Sequence, residues 1–204
     1  GILDGRNFAA DQRSLRMSYF RHVEACNPPV REEFWPWHID GMAVGWVRPD
    51  FAAELRRFPE VFELGDRELR LASGLRGFEQ RSVAIESAAR ELANLGVTPA
   101  YMGEPYAVTA GGREAALCVV DRSAAAFFGV RSFGQHLNGF VRRADGIHMW
   151  IGRRARDRLL FPGALDNMVA GGLPHSLGLE ENLIKECGEE AGVPEELARK
   201  AVPV

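Results

Sequence analysis

Apolar and polar positions run along this chain in two rhythms, one of period two and one near 3.6, and the changes of rhythm outline its elements. Residues 1–17 are polar with mixed charge and read as a lead-in. Over residues 18–25, Tyr19, Phe20 and Val23 share one side of a short helix that Asn27-Pro28-Pro29 ends. Residues 35–39 and 42–47 alternate as strands around Asp40-Gly41, a dipeptide suited to a type I′ hairpin turn. Pro49-Asp50 opens a helix over 51–57, with Asp50 as its cap and Phe51, Leu55 and Phe58 as its stripe. Residues 61–64 and 69–71 read as strands. The longest helical run covers 78–95: Val83, Ile85, Ala88, Ala89, Leu92 and Leu95 form its expected buried stripe, and Gly96 its C-cap. Short strands are expected at 106–108 and 116–120, then a helix over 121–128 capped by Asp121 and ended by Gly129.

Beyond Val130 the pattern starts afresh. Residues 135–142 and 148–153 alternate as paired strands joined at Asp145-Gly146, and 157–173 form a loop-rich run. Gly171-Gly172 opens a loop that leads into a last helix, ended by Gly192 and Pro194. The predicted class is α+β, with a lead-in at 1–17, an N-terminal α+β domain at 18–128 and a second domain at 129–204. Ala201-Val202-Pro203-Val204 reads as a strand just beginning, so the second domain is expected to be incomplete at its C-terminus.

The last helix carries the chemistry. At about 100° per residue, Glu186, Glu189 and Glu190 fall within about 100° of arc, while Leu183, Ile184, Cys187 and Ala191 lie on the other side. Clustered carboxylates repel unless a cation sits among them, and only Lys185 is near in sequence. Hard oxygen donors suit Mg²⁺ or Mn²⁺ rather than zinc. A Gly171 or Gly172 carbonyl can complete the shell. The alternative is a solvated acidic face.

The stretch 171–193, GGLPHSLGLEENLIKECGEEAGV, resembles the Nudix box, G-x5-E-x7-R-E-U-x-E-E-x-G-U with U aliphatic. Gly171, Glu186, Glu189, Glu190, Gly192 and Val193 match it. Leu177 stands where the first Glu belongs, Lys185 replaces Arg and Cys187 replaces the aliphatic residue. In the family that Glu and Arg support the loop as an ion pair, so their joint change reads as compensated. The stretches RHVEACN, GWVRPDF and EPYAV within 18–128 are similar to a small domain found before one Nudix subgroup. HLNGFV, LDNMVAGG and ENLIKECGEEAG are similar to its Nudix portion, the opening part of an α/β/α sandwich. That subgroup includes the Nudix part of fungal thiamine pyrophosphokinase fusions. The resemblance implies a divalent-metal-dependent pyrophosphohydrolase that cleaves thiamine diphosphate or its oxidised analogues to the monophosphate and phosphate. Two other readings stay open: a hydrolase of oxidised nucleotides such as 8-oxo-dGDP, and a non-catalytic ligand-binding module.

Composition narrows the partners. Of 204 residues, 46% are hydrophobic and the net charge is −3, which gives no electrostatic case for nucleic acid or an anionic membrane. No apolar run reaches the ~20 residues a membrane span needs. The three widely spaced cysteines, Cys26, Cys118 and Cys187, fit neither a disulfide framework nor a zinc site, and point to reduced core thiols in a cytoplasmic protein. The expected partner is a small-molecule diphosphate, and a homodimer is a compatible assembly. Arg153, Arg154, Arg156 and Arg158 form a basic run suited to phosphate. Asp166 and Asn167 can orient the loop or the substrate. His136, Asn138, His148 and His175 are candidates for ring or phosphate contact, against ordinary strand and loop roles. His22 and His38 read as structural. Trp35, Trp37, Trp46 and Trp150 read as core or interface residues, with stacking on a ring substrate open at Trp150.

Overall fold

Asp40 and Gly41 both adopt positive φ, 49° and 77°, the combination that a type I′ turn requires. They join strands β1 (Trp35–Ile39) and β2 (Met42–Val47) as an antiparallel hairpin. The computed structural model describes residues 20–22, 24–26, 33–157 and 161–204. Residues 20–22 and 24–26 are helical and belong to a unit ending at Phe34. The lead-in over 1–17, the rest of the first predicted helix, the Asn27-Pro28-Pro29 stop and Arg158 lie outside the described residues. Trp35–Val204 forms the second compact unit.

In that unit β1 also pairs in parallel with β4 (Leu69–Leu71), which runs antiparallel to β3 (Phe62–Leu64), so the sheet has the order β2-β1-β4-β3. Helix α1 spans Pro49–Leu55, earlier than predicted, with Arg48 as N-cap. The reason is Pro49: it has no N–H to leave unsatisfied and its φ is already helical, so it takes the first helical position. Asp50 therefore falls inside the first turn, paired with Arg48 at 3.1 Å. Helix α2 (Gly77–Asn94) buries Arg81, Ser82, Ile85, Ala88, Ala89 and Leu92. Val83 (64% exposed) and Leu95 (48% exposed) lie off that stripe, contrary to expectation. The 3.6 period that aligns 81–82, 85, 88–89 and 92 turns position 83 outward. Arg81 instead enters the buried face, where its guanidinium binds Asp40 at 2.7 Å and ties the helix to the hairpin turn.

Strands β5 (Pro105–Val108) and β6 (Cys118–Asp121) pair antiparallel, joined through a short 3₁₀ turn at Arg113–Ala115. Asp121 caps α3 (Arg122–Ala125) through the Ser123 amide at 3.0 Å, and its carboxylate also accepts from Met102, Gly103 and Glu104. Trp37 and Phe128 meet at 4.8 Å in the aromatic centre of the main core, with Phe51 and Phe62 around them.

The second half is built of short pieces. β7 (Gly134–Leu137) pairs with β12 (Val169–Gly172), β8 (Phe140–Arg143) with β9 (Gly146–Met149), and β10 (Gly152–Arg153) with β11 (Leu165–Asp166), all antiparallel. Three expectations are corrected. The predicted strand 135–142 breaks at Asn138-Gly139, where a Cβ on Gly139 would stand 2.4 Å from the Met168 sulfur. The β8–β9 loop is Ala144-Asp145, since Gly146 already pairs with Arg143. Gly171-Gly172 do not open a loop; they end strand β12, and the loop is 173–178. Helix α4 (Leu179–Ala191) follows, closed by Gly192 at φ 61°, then α5 (Glu195–Ala198). Residues 201–204 form no strand. A second, smaller cluster joins these elements through Val169, Cys187 and Ala198, with Leu183 and Ile184 half-buried and Ala191 exposed. The molecule is thus α+β, with helices beside several small sheets.

Candidate functional site

Helix α4 lies against β12, and that packing decides where its acids go. Glu186 presses on the backbone of Gly171 so closely that a Cβ there would stand 2.3 Å from its carboxyl carbon. Glu190 turns to the same strand one residue earlier and accepts the Ala170 amide at 2.8 Å. Glu189 is exposed. Lys185 Nζ stands 3.3 Å from an oxygen of Glu186 and 3.3 Å from one of Glu189. Burial opposes the lysine's charge, but the hydrogen bond to Glu189 and the field of Glu186 outweigh it and raise its pKa.

An ammonium between two carboxylates acts as a stand-in cation, and the donors around it are hard oxygens. By donor chemistry alone these oxygens suit a divalent ion of the Mg²⁺ or Mn²⁺ type. Among the described residues, however, no group of three or more His, Cys, Asp and Glu side chains is gathered as a metal-holding set. Lys185 lies between Glu186 and Glu189, while Glu190 turns to the Ala170 amide. The Gly171 carbonyl oxygen lies 3.0 Å from where a Cβ on Gly134 would stand. It is directed at strand β7, so what Gly171 presents to Glu186 is a bare Cα.

Beside the acids a cleft of about 330 Å³ is lined by Arg153, Arg154, Asp166, Asn167, Glu189 and Glu190, among others. Arg154 pairs with Asp166 at 3.0 Å, and Arg153 donates to the Gly163 carbonyl at 2.9 Å. Asn167 connects the cleft to the neighbouring strand: its oxygen lies 2.9 Å from His136 Nδ1, and its amide donates to Asn138 at 2.6 Å. Pairing of β10 with β11 thus collects Arg153, Arg154, Asp166 and Asn167 beside Glu189 and Glu190, and Asn167 links His136 and Asn138 to that cleft. His148 is elsewhere, 3.0 Å from Asp145 within the β8–β9 hairpin. His175 stacks on Phe78 at 5.3 Å. Trp150 is 61% exposed, and Arg156 lies in a turn after β10.

Other residues near the box had no signal in its motif. Asn182 is fully buried on α4 and donates to Gln135 at 2.9 Å and to the Gly172 carbonyl at 3.1 Å. It lies four residues before Glu186, hence on the same helix face, which is the one clue to its role. The Tyr106 hydroxyl stands 1.9 Å from where a Gly172 Cβ would be. Burial raises the Tyr106 pKa. Arg113, from the β5–β6 connection, donates to the carbonyls of Pro174, His175 and Leu177.

Residues 18–132 match the family described as a domain of unknown function (DUF4743), and the chain belongs to that family. Over 98% of its length it is 35% identical to "Nudix hydrolase 24, chloroplastic" of Arabidopsis thaliana, and over 91% it is 32% identical to "Nudix hydrolase 20, chloroplastic" of the same plant. It is also 29% identical over 76% of its length to the uncharacterized protein YJR142W of Saccharomyces cerevisiae. The chain spans 56%, 53% and 47% of these relatives, about half their length. Both plant relatives are named Nudix hydrolases.

Proposed function

We propose that the chain carries the box half of a divalent-metal-dependent Nudix pyrophosphohydrolase, and that residues 129–204 are the opening part of an α/β/α Nudix sandwich. The observation that carries this reading is the meeting of the acidic face of α4 with the Arg153–Arg154 cleft. Glu186, Glu189 and Glu190, beside Gly171, would hold Mg²⁺ or Mn²⁺. Bound there, the cation would neutralise diphosphate oxygens and lower the pKa of a water. Lys185 would yield its place to the cation. Arg153 and Arg154 bind the phosphate oxygens, and Asp166 holds Arg154 in orientation. Asn167 fixes His136 and Asn138 along the same edge, where they contact the ring of the substrate. Glu186, sheltered against Gly171, takes the proton of the attacking water.

The substrate class proposed is thiamine diphosphate or its oxidised analogues, cleaved to the monophosphate and phosphate. The free thiols of Cys26, Cys118 and Cys187 go with a reducing compartment, and the cytoplasm is the one proposed. A second reading, a non-catalytic ligand-binding module, is favoured by one observation: Lys185 already compensates Glu186 and Glu189. Phosphate release from thiamine diphosphate, its oxidised forms and 8-oxo-dGDP, with Mg²⁺ and with Mn²⁺, separates the readings. Turnover of the thiamine compounds supports the proposal. Turnover of 8-oxo-dGDP alone replaces the substrate, and tight binding without turnover of any compound selects the module.

A further inference from the structure

The loop 173–178 joins strand β12 to helix α4, and one side chain from far away in sequence holds it. Arg113 is sixty-one residues from Pro174, on the 3₁₀ turn that interrupts the β5–β6 connection. The Thr109 hydroxyl builds that turn: it accepts from the Gly111 amide at 2.9 Å and reaches the Gly112 and Ala115 carbonyls at 3.1 and 3.2 Å. The arginine side chain is 11% exposed. Its NH2 group faces three carbonyls of the same loop, Pro174 at 2.9 Å, His175 at 3.1 Å and Leu177. Its NH1 group binds Glu114 at 2.9 Å.

Arg113 holds the part of the loop nearest the helix. Gly178, the N-cap residue of α4, offers no side-chain cap. At the two box positions where an ion pair would be sought, Leu177 supplies a backbone carbonyl and Lys185 turns to Glu186 and Glu189. Other anchors among the described residues include the His175 amide on Pro105 at 2.6 Å, the His175 ring on Phe78, the Leu173 amide on Phe133 at 2.9 Å and the burial of Leu173 and Pro174. One terminal nitrogen of the guanidinium faces the three loop carbonyls while the other holds Glu114, so a single rigid plane ties the loop to the 3₁₀ turn, which the point charge of an ammonium cannot do from both ends.

We propose that Arg113, supplied by the domain that precedes the box, is a positioning residue for the box. By holding the Pro174, His175 and Leu177 carbonyls it sets where α4 begins, and so keeps Glu186 against Gly171 and Glu190 on Ala170. Its influence on the metal site rests on the function proposed above; its hold on the loop does not.

The test compares the full chain with R113M and R113K by hydrogen exchange without substrate, and by titration with Mn²⁺ alone. Loss of charged hydrogen bonds should speed exchange of amides 173–186 by about tenfold or more in R113M, and less in R113K. Amides of β1 and β2 should keep their wild-type rates. Mn²⁺ affinity should fall by about tenfold in R113M. Unchanged exchange over 173–186, or equal acceleration across the chain, overturns the proposal. Should R113M fail to fold, R113K carries the same comparison. Failure of the wild-type chain to bind Mn²⁺ would instead overturn the metal-site reading and leave the exchange result to decide the role of Arg113.

Discussion

Gly171 lacks the one atom that would collide with Glu186. A methyl there would stand 2.3 Å from the carboxyl carbon and 2.5 Å from an oxygen, and the flexible partner is the glutamate. Gly171→Ala should therefore displace the carboxylate more than the fold. The expected result is a stability loss of about 1 kcal/mol with Mn²⁺ affinity lowered by about tenfold, read by thermal melting and metal titration. Unaltered affinity would mean that Glu186 does not bind metal from this position. Cys118 shows a different single-residue effect, on the pH dependence of stability. Burial pushes its thiol up to about 12, whereas an unfolded thiol titrates near about 8.5. Between those values the unfolded chain releases this proton first, so the native state holds more protons and loses stability as pH rises. The slope from this group is at most about 1.4 kcal/mol per pH unit, confined to that window and absent below it. Tyr106, also raised by burial, acts in the same direction at higher pH. Urea midpoints at pH 8 and pH 10 should thus differ less in Cys118→Ala than in the native chain, after the alanine's own pH-independent cavity cost.

At the scale of elements, glycines separate positions where backbones touch from positions where nothing does. Gly129 has φ 57°, and a Cβ on it would stand 2.0 Å from the Trp46 carbonyl oxygen, so the segment after α3 lies directly on β2. Gly188 lies within α4 with nothing within 4 Å of its would-be Cβ. Gly129→Ala should cost roughly 3 kcal/mol or more, while Gly188→Ala should stabilise by about 1 kcal/mol. Denaturant midpoints check both, and equal effects would contradict the close approach. The same contrast explains what could be read from the chain. The Asp40-Gly41 hairpin and the Gly96 and Gly192 helix ends were legible because each follows from a few adjacent residues. Strand β12 was not: Gly171-Gly172 has the composition of a loop, and only its pairing with β7 makes it a strand. Val83 was misread because an apolar residue was counted without its angle on the helix. The glutamates and their neighbouring Lys185 were legible as one helix face, but the turn of Glu190 toward Ala170 depends on packing against β12. Arg113 was invisible because its acceptors are backbone carbonyls, which any sequence supplies.

Across the whole of Trp35–Val204, apolar burial is unevenly divided. The cluster around Trp37, Phe62 and Phe128 draws on β1–β6 and α1–α3, whereas among the described residues the cluster beneath the box buries Val169, Cys187 and Ala198. Free energy of local opening follows buried apolar contact, so the box elements should open without the rest. Amides of α4 and β12 are expected to exchange at denaturant concentrations that leave α2 and β1 protected. A cation bound by Glu186, Glu189 and Glu190 would be lost on that opening, which links metal to the smaller cluster alone. At about 100 times its dissociation constant, Mg²⁺ should slow exchange in α4 and β12 by about a hundredfold, equivalent to about 2.7 kcal/mol, and leave α2 unchanged at native conditions. Protection gained evenly over both clusters would indicate one cooperative unit, and no gain in α4 would remove the cation from the glutamates. Because weakly packed elements carry the acids while the strongly packed strands β5 and β6 carry Tyr106 and flank the turn that bears Arg113, the main core supplies the fixed frame against which the box is held.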